Sequence, residues 1–597
     1  MLATLGTANE FAVVPNRGLI APMATTRSIA IVEIGGHVFG LQTSIQCAAT
    51  SRLALQWSRA DEVSMSTLKE SYWPADTSVP LRDLTVGDLL REAAADSPDV
   101  VGLVAGVPGV DRRWTFAEML KVSEQVAAAL LTRFSKGERV AVWAPNLPEW
   151  VLLELGAALA GVVLVTVNPA YQRQELAHVL GQSGASGVFL VRDWRGNPMH
   201  ATLESLRGDL DQLREVVYFE EWDEFLDSAV PVELPEVTAF DAAQIQYTSG
   251  TTGFPKGALL RHGSLTDNAA LYTVEAEIRP GDVYVNPMPM FHTAGCVMGA
   301  LGTIHARATH VPVIAFDPGF VLELIERERG TALLGVPTMQ IALLEHPDLA
   351  TRDLSSLRSS VSGGSLVPAE LVRRIEASFG VRFCIVYGTT ECSPLITMTR
   401  FSDSAEDKAE TIGRAMPHTE VKIVDPISGE IVAPGIVGEL CARGYMVMRE
   451  YFDNPAATAS SIDPDDWYHT GDLGSMDERG YCRIEGRLTD MIIRGGENIY
   501  PREVEEVLFN HPGVAEVAVV GIPDDKWGEQ VAAFIRSAGD DPPTPSELAA
   551  YVRERLAAFK APRTWVFVDS FPLTGSGKVK KFVLRDSYLN GDLPPST

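Results

Sequence analysis

From Thr85 onward, apolar and polar positions recur with regular periods, and the two periods alternate. Thr85-x-x-Asp88 and Thr115-x-x-Glu118 each set a hydroxyl three residues ahead of a carboxylate at the start of an amphipathic run, the capping-box pattern that opens a helix. Arg139–Trp143 reads as a short apolar strand, followed by a helix over Glu149–Ala160, a strand over Val162–Val167, a helix near Gln174–Leu180 and a strand over Gly187–Val191. The same rhythm continues with strands at Gly281–Asn286, Ala332–Gly335 and Arg382–Val386 and helices at Phe320–Arg329 and Ala369–Ser378. Strands separated by helices imply an α/β fold of mixed, largely parallel sheets covered by helices. The apolar stretch Trp150–Val167 contains Glu154 and is split by Gly161, so it reads as a buried helix and strand rather than a membrane span.

The two ends differ from this pattern. The last hundred residues predict a helix opening at Tyr500-Pro501 and running to Phe509, strands at Val514–Val520 and Val531–Ile535, a helix capped by Thr544, and a last strand at Trp565–Val568. That is a small α+β domain, expected over 490–590 behind a large domain over 65–489. Residues 1–64 hold only short mixed segments (Ser28–Glu33, His37–Leu41) without a sustained period, and are expected to be a weakly ordered extension.

A length of 597 residues requires more than one core. The net charge of −28 excludes indiscriminate nucleic-acid binding, and phosphate ligands would need a local cationic site. Six scattered cysteines with no CxxC pair argue against zinc and against a disulfide framework, and point to the cytoplasm. No signal peptide or strongly basic amphipathic helix is read, so membrane contact is expected to be peripheral at most. The chain leaves a homodimer open.

The chemistry begins at Tyr247-Thr248-Ser249-Gly250-Thr251-Thr252-Gly253-Phe254-Pro255-Lys256-Gly257. Glycines let successive N–H groups converge on one anion, the hydroxyls add donors, and Lys256 adds a mobile positive charge. The spacing is not that of a Walker A loop. Further along come Ser362-Gly363-Gly364-Ser365, Tyr387-Gly388-Thr389-Thr390-Glu391 after a strand, Tyr468-His469-Thr470-Gly471-Asp472, and Pro572-Leu573-Thr574-Gly575-Ser576-Gly577-Lys578. A carboxylate at the carboxyl end of a parallel strand sits where ligands collect in such folds.

In this order the motifs resemble those of the adenylate-forming superfamily (acyl-CoA synthetases, adenylation domains and luciferases) over residues 80 to 582. The resemblance is nearest to medium- or long-chain fatty-acyl-CoA synthetases. It implies ATP, Mg²⁺ and coenzyme A as co-substrates and metal, with a small-molecule carboxylic acid as the group activated. It assigns Thr248, Ser249, Gly250, Thr251, Thr252, Gly253 and Lys256 to the phosphates, and Gly363, Gly364, Ser365, Tyr387, Gly388 and Thr389 to the nucleotide. Thr390 falls on the α-phosphate, Glu391 with Thr252 on the metal, Asp472 and Arg487 on the ribose, and Lys578 on the transition-state charge. His292 in Pro289-Met290-Phe291-His292 resembles a gate beside the acyl tunnel, Asp490 the hinge, and Gly495, Gly496 and Glu497 the face that meets coenzyme A. Val297, Met298, Val336, Met339, Leu395 and Ile396 are apolar candidates for the acyl pocket. Two departures stand out: Thr489 where relatives often carry lysine, and Arg449-Glu450-Tyr451 without the expected glycine.

The expected reaction is ATP-dependent formation of an acyl-adenylate, followed by transfer to coenzyme A after the small domain rotates. The alternatives are an aryl or phenylpropanoid acid ligase, and an acyl-adenylate ligase that loads a carrier protein.

Overall fold

The computed structural model describes residues 30–34, 37–41, 67–248, 255–364, 367–495, 497–539, 541–573 and 579–595. They belong to two compact units, Met1–Met65 and Ser66–Thr597. In the first, Ala30–Ile34 and His37–Leu41 pair as antiparallel strands, with Ala30 opposite Leu41. Neither strand was predicted, because both lie among mixed segments without a sustained period, unlike the uninterrupted apolar run of Arg139–Trp143; the rest of the expected extension lies outside the described residues.

In the second unit the described strands form four sheets. One is seven-stranded, in the order Glu450–Tyr451, Lys256–Arg261, Ala242–Thr248, Val163–Val167, Arg139–Trp143, Gly187–Leu190, Glu215–Tyr218. Its last five strands are parallel, and the other edge is antiparallel. A nine-stranded sheet has six parallel strands at its centre: Arg382–Gly388, Ser359–Gly363, Ala332–Leu334, Val283–Asn286, Thr309–Pro312 and Val101–Val104. A five-stranded sheet, Cys482–Arg487, Tyr468–Met476, Gly438–Gly444, Thr419–Val424 and Tyr72–Trp73, is antiparallel throughout. The alternation predicted over 139–191 and 281–388 is present, with boundaries moved by one to three residues.

Both capping boxes form as read, with the Asp88 and Glu118 amides donating to the Thr85 and Thr115 hydroxyls. The helix Pro148–Ala160 is buried on every side and ends at Gly161 in the left-handed region (φ 66°). It belongs to the single core shared by the large sheets.

From Ile492 the chain builds a separate five-stranded sheet. Val514–Asp524 and Gly528–Ser537 form its central hairpin. Helices Pro501–Phe509 and Pro545–Arg553 bury Val504, Leu508, Leu548 and Val552 on one face. Helix Lys581–Leu589 buries Leu584 against Phe534 on the other. This small C-terminal domain is attached to the large one through Gly486-Arg487-Leu488-Thr489-Asp490, and the half-buried Arg502 guanidinium donates to the Ile484 carbonyl across the junction.

Glu154 lies in the middle of the buried helix, where its Oε1 accepts from Gln244 Nε2 at 2.6 Å. Burial raises its carboxyl from 4.5 to about 8, so it stays protonated at neutral pH. A carboxyl whose folded value is raised costs stability as pH climbs from the unfolded value toward the folded one. Glu154→Gln removes that cost, so the variant is expected to gain on the wild type between pH 4.5 and about 8, by at most about 1.4 kcal/mol per pH unit. Urea unfolding across this window measures it; parallel pH profiles would mean that Glu154 is ordinarily charged.

Candidate active site

Among the described residues, the motif positions Thr248, Gly363, Glu391 and Asp472 stand on strands of three sheets or on turns next to them. The parallel strands of the nine-stranded sheet end at Asn286, Leu334, Gly363 and Gly388. A parallel sheet leaves its ligand crevice outside these carboxyl ends. After Gly388 the chain turns through Thr389 into a 3₁₀ turn, Thr390–Cys392, that carries Thr390 and Glu391 with little exposure.

Glu391 is held from both ends. Its backbone carbonyl accepts from the Met448 amide at 2.6 Å, and its Oε1 accepts from the Tyr451 hydroxyl at 2.6 Å. Tyr451 belongs to the edge strand of the seven-stranded sheet, opposite Ala258. The Lys256 ammonium stands 5.0 Å from the centroid of the Tyr451 ring. Lys256, Tyr451 and Glu391 therefore form one line from the glycine-rich loop to the acidic group. Burial and the Glu391 charge both raise the Tyr451 phenol, which stays a donor.

On the opposite side, the Tyr387 hydroxyl donates to Asp472 Oδ2 at 2.7 Å, and Arg487 Nε lies 3.2 Å from Asp472 Oδ1. Asp472 and Arg487 are cross-strand partners in the five-stranded sheet, which fixes the pair. Asp472 is 7% exposed; one of its oxygens accepts from Tyr387 and the other lies within ion-pair range of Arg487, and an acceptor-only, bidentate carboxylate suits a diol.

An apolar cavity opens beside this cluster, lined by Met288, His292, Met298, Val336, Gly363 and Leu395 among others. Gly364 and Gly388 also face it. His292 Nδ1 accepts from the Ala294 amide at 3.1 Å, so that nitrogen is unprotonated in the neutral ring. The next eight residues, Ala294–Leu301, form a π-helix, a wide turn often found at functional sites. Of the apolar candidates, Met298, Val336 and Leu395 line this cavity, and Met339 lines a second one next to it. Val297 and Ile396 do not line it: both are fully buried in the core, where apolar periodicity in the sequence looks the same.

Ser249, Gly250, Thr251, Thr252, Gly253, Ser365, Gly496 and Lys578 lie outside the described residues. Their flanks are described. Thr248 pairs with Lys256 at the base of the signature loop, and Leu573 pairs with Val579 around the segment that carries Lys578. Asp490 sits in an exposed turn, its amide donating to the Arg487 carbonyl at 3.1 Å. Gly495 is left-handed (φ 63°) and donates to the Trp527 carbonyl at 2.7 Å; a Cβ there would stand 2.6 Å from the Trp527 ring. Glu497 pairs with Arg494 across the same short hairpin.

One neighbouring cluster joins His469 of the Tyr468–Asp472 motif to two residues that no motif singles out. Glu439, Cys441 and His469 bring a carboxylate, a thiol and an imidazole within 4.8 Å of one another. His469 Nδ1 is 2.8 Å from Glu439 Oε2 and 3.5 Å from Cys441 Sγ. The Cys441 and Glu439 groups push the imidazole up to about 10, so it is cationic at neutral pH. Glu439 also accepts from the Gly471 amide at 3.1 Å, so the pair braces the turn in front of Asp472.

A nearly buried carboxylate at Asp472 braced by Tyr387, a second at Glu391 braced by Tyr451, and an apolar cavity that reaches Gly388 stand together at the strand ends, the arrangement expected of an adenylate-forming enzyme. The comparisons agree. The chain belongs to the AMP-binding enzyme family, whose model matches residues 90–452, while the AMP-binding enzyme C-terminal domain matches 503–578. It is 41% identical over 535 residues to the putative acyl-CoA synthetase YngI of Bacillus subtilis (strain 168), covering 85% of this chain and 97% of that one. It is 38% identical over 551 residues to the mitochondrial medium-chain acyl-CoA ligase ACSF2 of Rattus norvegicus, covering 86% and 89%. Among solved structures, the anthranilate CoA ligase AuaEII in complex with anthranoyl-AMP superposes with a TM-score of 0.79 at 27% identity, covering 87% of this chain and 99% of that one.

Tyr451 was visible in the sequence only as the neighbour of a missing glycine; its bond to Glu391 gives it a role. Tyr451→Phe leaves the carboxylate without its orienting donor. The Mg²⁺ concentration needed for half-maximal adenylate formation is expected to rise roughly 10- to 100-fold, with the melting temperature little changed. A Mg²⁺ titration of acid-dependent ATP–pyrophosphate exchange measures this, and an unshifted midpoint would remove Tyr451 from the site.

Proposed function

We propose that this chain activates a fatty acid of medium to long chain with ATP and passes the acyl group to coenzyme A. The observation that carries the reading is the apolar cavity opening at the strand ends directly beside Gly363, Gly364 and Gly388, with the Tyr387–Asp472 pair one strand-end away. An acid held there by its tail presents its carboxylate to a nucleotide held by its ribose.

In the first step a carboxylate oxygen attacks the α-phosphorus. A P–O bond forms, the bond to pyrophosphate breaks, and an acyl-adenylate remains. Asp472 and Arg487 orient the ribose, and Tyr387 braces Asp472. The flanks of the signature loop bring Lys256 toward the phosphates. Glu391 fits Mg²⁺, a hard cation that takes oxygen donors, since it is a nearly buried carboxylate whose only described side-chain donor is the Tyr451 hydroxyl. When bound with the nucleotide, Mg²⁺ would supply Lewis-acid neutralisation of phosphate charge. Lys578 is assigned to the charge that develops on the reacting oxygens. In the second step the thiol sulfur attacks the acyl carbon, the C–O bond to AMP breaks, and the thiol proton leaves to solvent. Rotation about Asp490 is proposed to exchange Lys578 for the Gly495–Gly496 face between the steps. Positioning and fixed charge suffice for such chemistry.

Among the described residues no helix is long and apolar enough to cross a membrane. The five described cysteines are free and buried, which favours the cytoplasm. A second reading, an aryl acid in the same cavity, is favoured by the likeness to the anthranilate ligase.

ATP–pyrophosphate exchange across straight-chain acids of increasing length, with benzoic and cinnamic acids alongside, tests the reading. Exchange is expected to peak among the fatty acids, and to give thioester when coenzyme A is added. Lys578→Ala is expected to lower it about 10²- to 10³-fold. Exchange with no acid at all would defeat the enzyme reading, and a maximum with aromatic acids would select the second one.

A further inference from the structure

Between the strand ending at Asn286 and the π-helix that starts at Ala294, the chain is neither strand nor helix over residues 287–292. Its side chains nevertheless alternate. Met288 and His292 line the apolar cavity. Pro287, Pro289 and Phe291 line a second, more polar cavity of about 450 Å³, to which Arg195 and Gln172 also contribute. The segment is a septum one chain thick between the two.

A buried stretch outside regular structure has no ladder to satisfy its amides and carbonyls, so each needs another partner. The His292 amide donates to the Pro289 carbonyl at 3.1 Å and the His292 carbonyl accepts from the Gly295 and Cys296 amides; two asparagines meet the Met288 and Met290 groups. Asn286 Oδ1 accepts from the Met288 amide at 3.2 Å, and its Nδ2 donates to the Gly295 carbonyl at 3.2 Å. Asn146, 5% exposed, comes from outside the segment. Its Nδ2 donates to the carbonyls of Met288 and Val313, each at 2.9 Å, and its Oδ1 accepts from the Met290 amide at 2.7 Å. Asn286 pins the ends of the septum from within; Asn146 pins its middle to the end of a neighbouring strand.

We propose that Asn146 is a positioning residue: by fixing Met288 and Met290 it sets where the Met288 and His292 side chains stand in the apolar cavity, and so which acids that cavity accepts. This rests on the acid-activating reading given above. Asn146 touches neither nucleotide nor acid in this account; it acts through the septum. Removing its amide leaves three buried backbone groups without their partner, an arrangement a chain avoids by moving. The movement available is of the septum itself, because Asn286 holds only its ends.

The test uses the full-length protein with the variants Asn146→Ala and Asn146→Asp. In Asn146→Ala the preference between acids of different chain length, as the ratio of kcat/KM values, is expected to flatten about tenfold. The KM for the acid should rise, and the KM for ATP should stay as in the wild type. Asn146→Asp keeps the acceptor for Met290 but sets a carboxylate against two carbonyls; protonating it restores one donor, so its chain-length preference should recover as pH is lowered. A loss of kcat that is equal for every acid, with all KM values unchanged and no recovery at low pH, is what a merely structural residue gives, and would overturn the proposal. So would a wild-type preference in both variants. Hydrogen exchange over residues 287–293 gives a reading that needs no activity: protection is expected to fall there in Asn146→Ala and to persist in the strand Arg382–Gly388. Unchanged protection over 287–293 overturns the proposal even if no acid is ever found, whereas a wild type inert toward every acid defeats only the functional reading.

Discussion

The contact on which the site depends is the hydrogen bond from the Tyr451 hydroxyl to Glu391. Glu391 stands on the turn after a strand of the nine-stranded sheet, and Tyr451 on the edge strand of the seven-stranded one. A carboxylate with so little exposure is costly to bury unless donors meet it. The donor available comes from the other sheet, so satisfying Glu391 and docking the two sheets are one event. The third sheet enters in the same way, through Tyr387 and Asp472. Each sheet contributes one half of a polar pair whose other half lies elsewhere, and the crevice is where the halves meet.

That convergence requires backbones to approach more closely than side chains allow. A Cβ on Gly363 would stand 2.2 Å from the Val386 carbonyl oxygen, and one on Gly388 would stand 1.9 Å from that of Pro394. These two positions are glycine because the strand ends touch there, not because a turn is needed. The same bare surface forms part of the apolar cavity, so close packing and room for a ligand have one origin.

How much of this could be read in advance varies with the kind of signal. The parallel core was legible because strands buried on both faces read as apolar runs, as Arg139–Trp143 does. The Tyr387–Asp472 pair was legible as a candidate because glycine, hydroxyl and carboxylate recur in fixed order around both residues. The five-stranded antiparallel sheet was not, since its alternation is interrupted by register shifts between Glu439 and Cys441 and between Leu473 and Gly474. Asn146 was illegible for another reason. Asn-Leu-Pro-Glu looks like the approach to a helix, and only distance in space, 142 residues away in sequence, reveals what its amide holds. The hairpin at Ala30–Leu41 was missed because its strands stand among mixed segments with no alternation of helix and strand around them.

The described cysteines, Cys296, Cys384, Cys392, Cys441 and Cys482, are all buried, and burial raises the thiols. Mixed-disulfide formation needs a thiolate and a path to it. A protein that receives a free mercaptan as its second reactant meets that hazard at every turnover, since an oxidised form of the same reactant could cap an accessible sulfur. With these five sulfurs neutral and enclosed, none of them is open to capping by an oxidised form of that reactant.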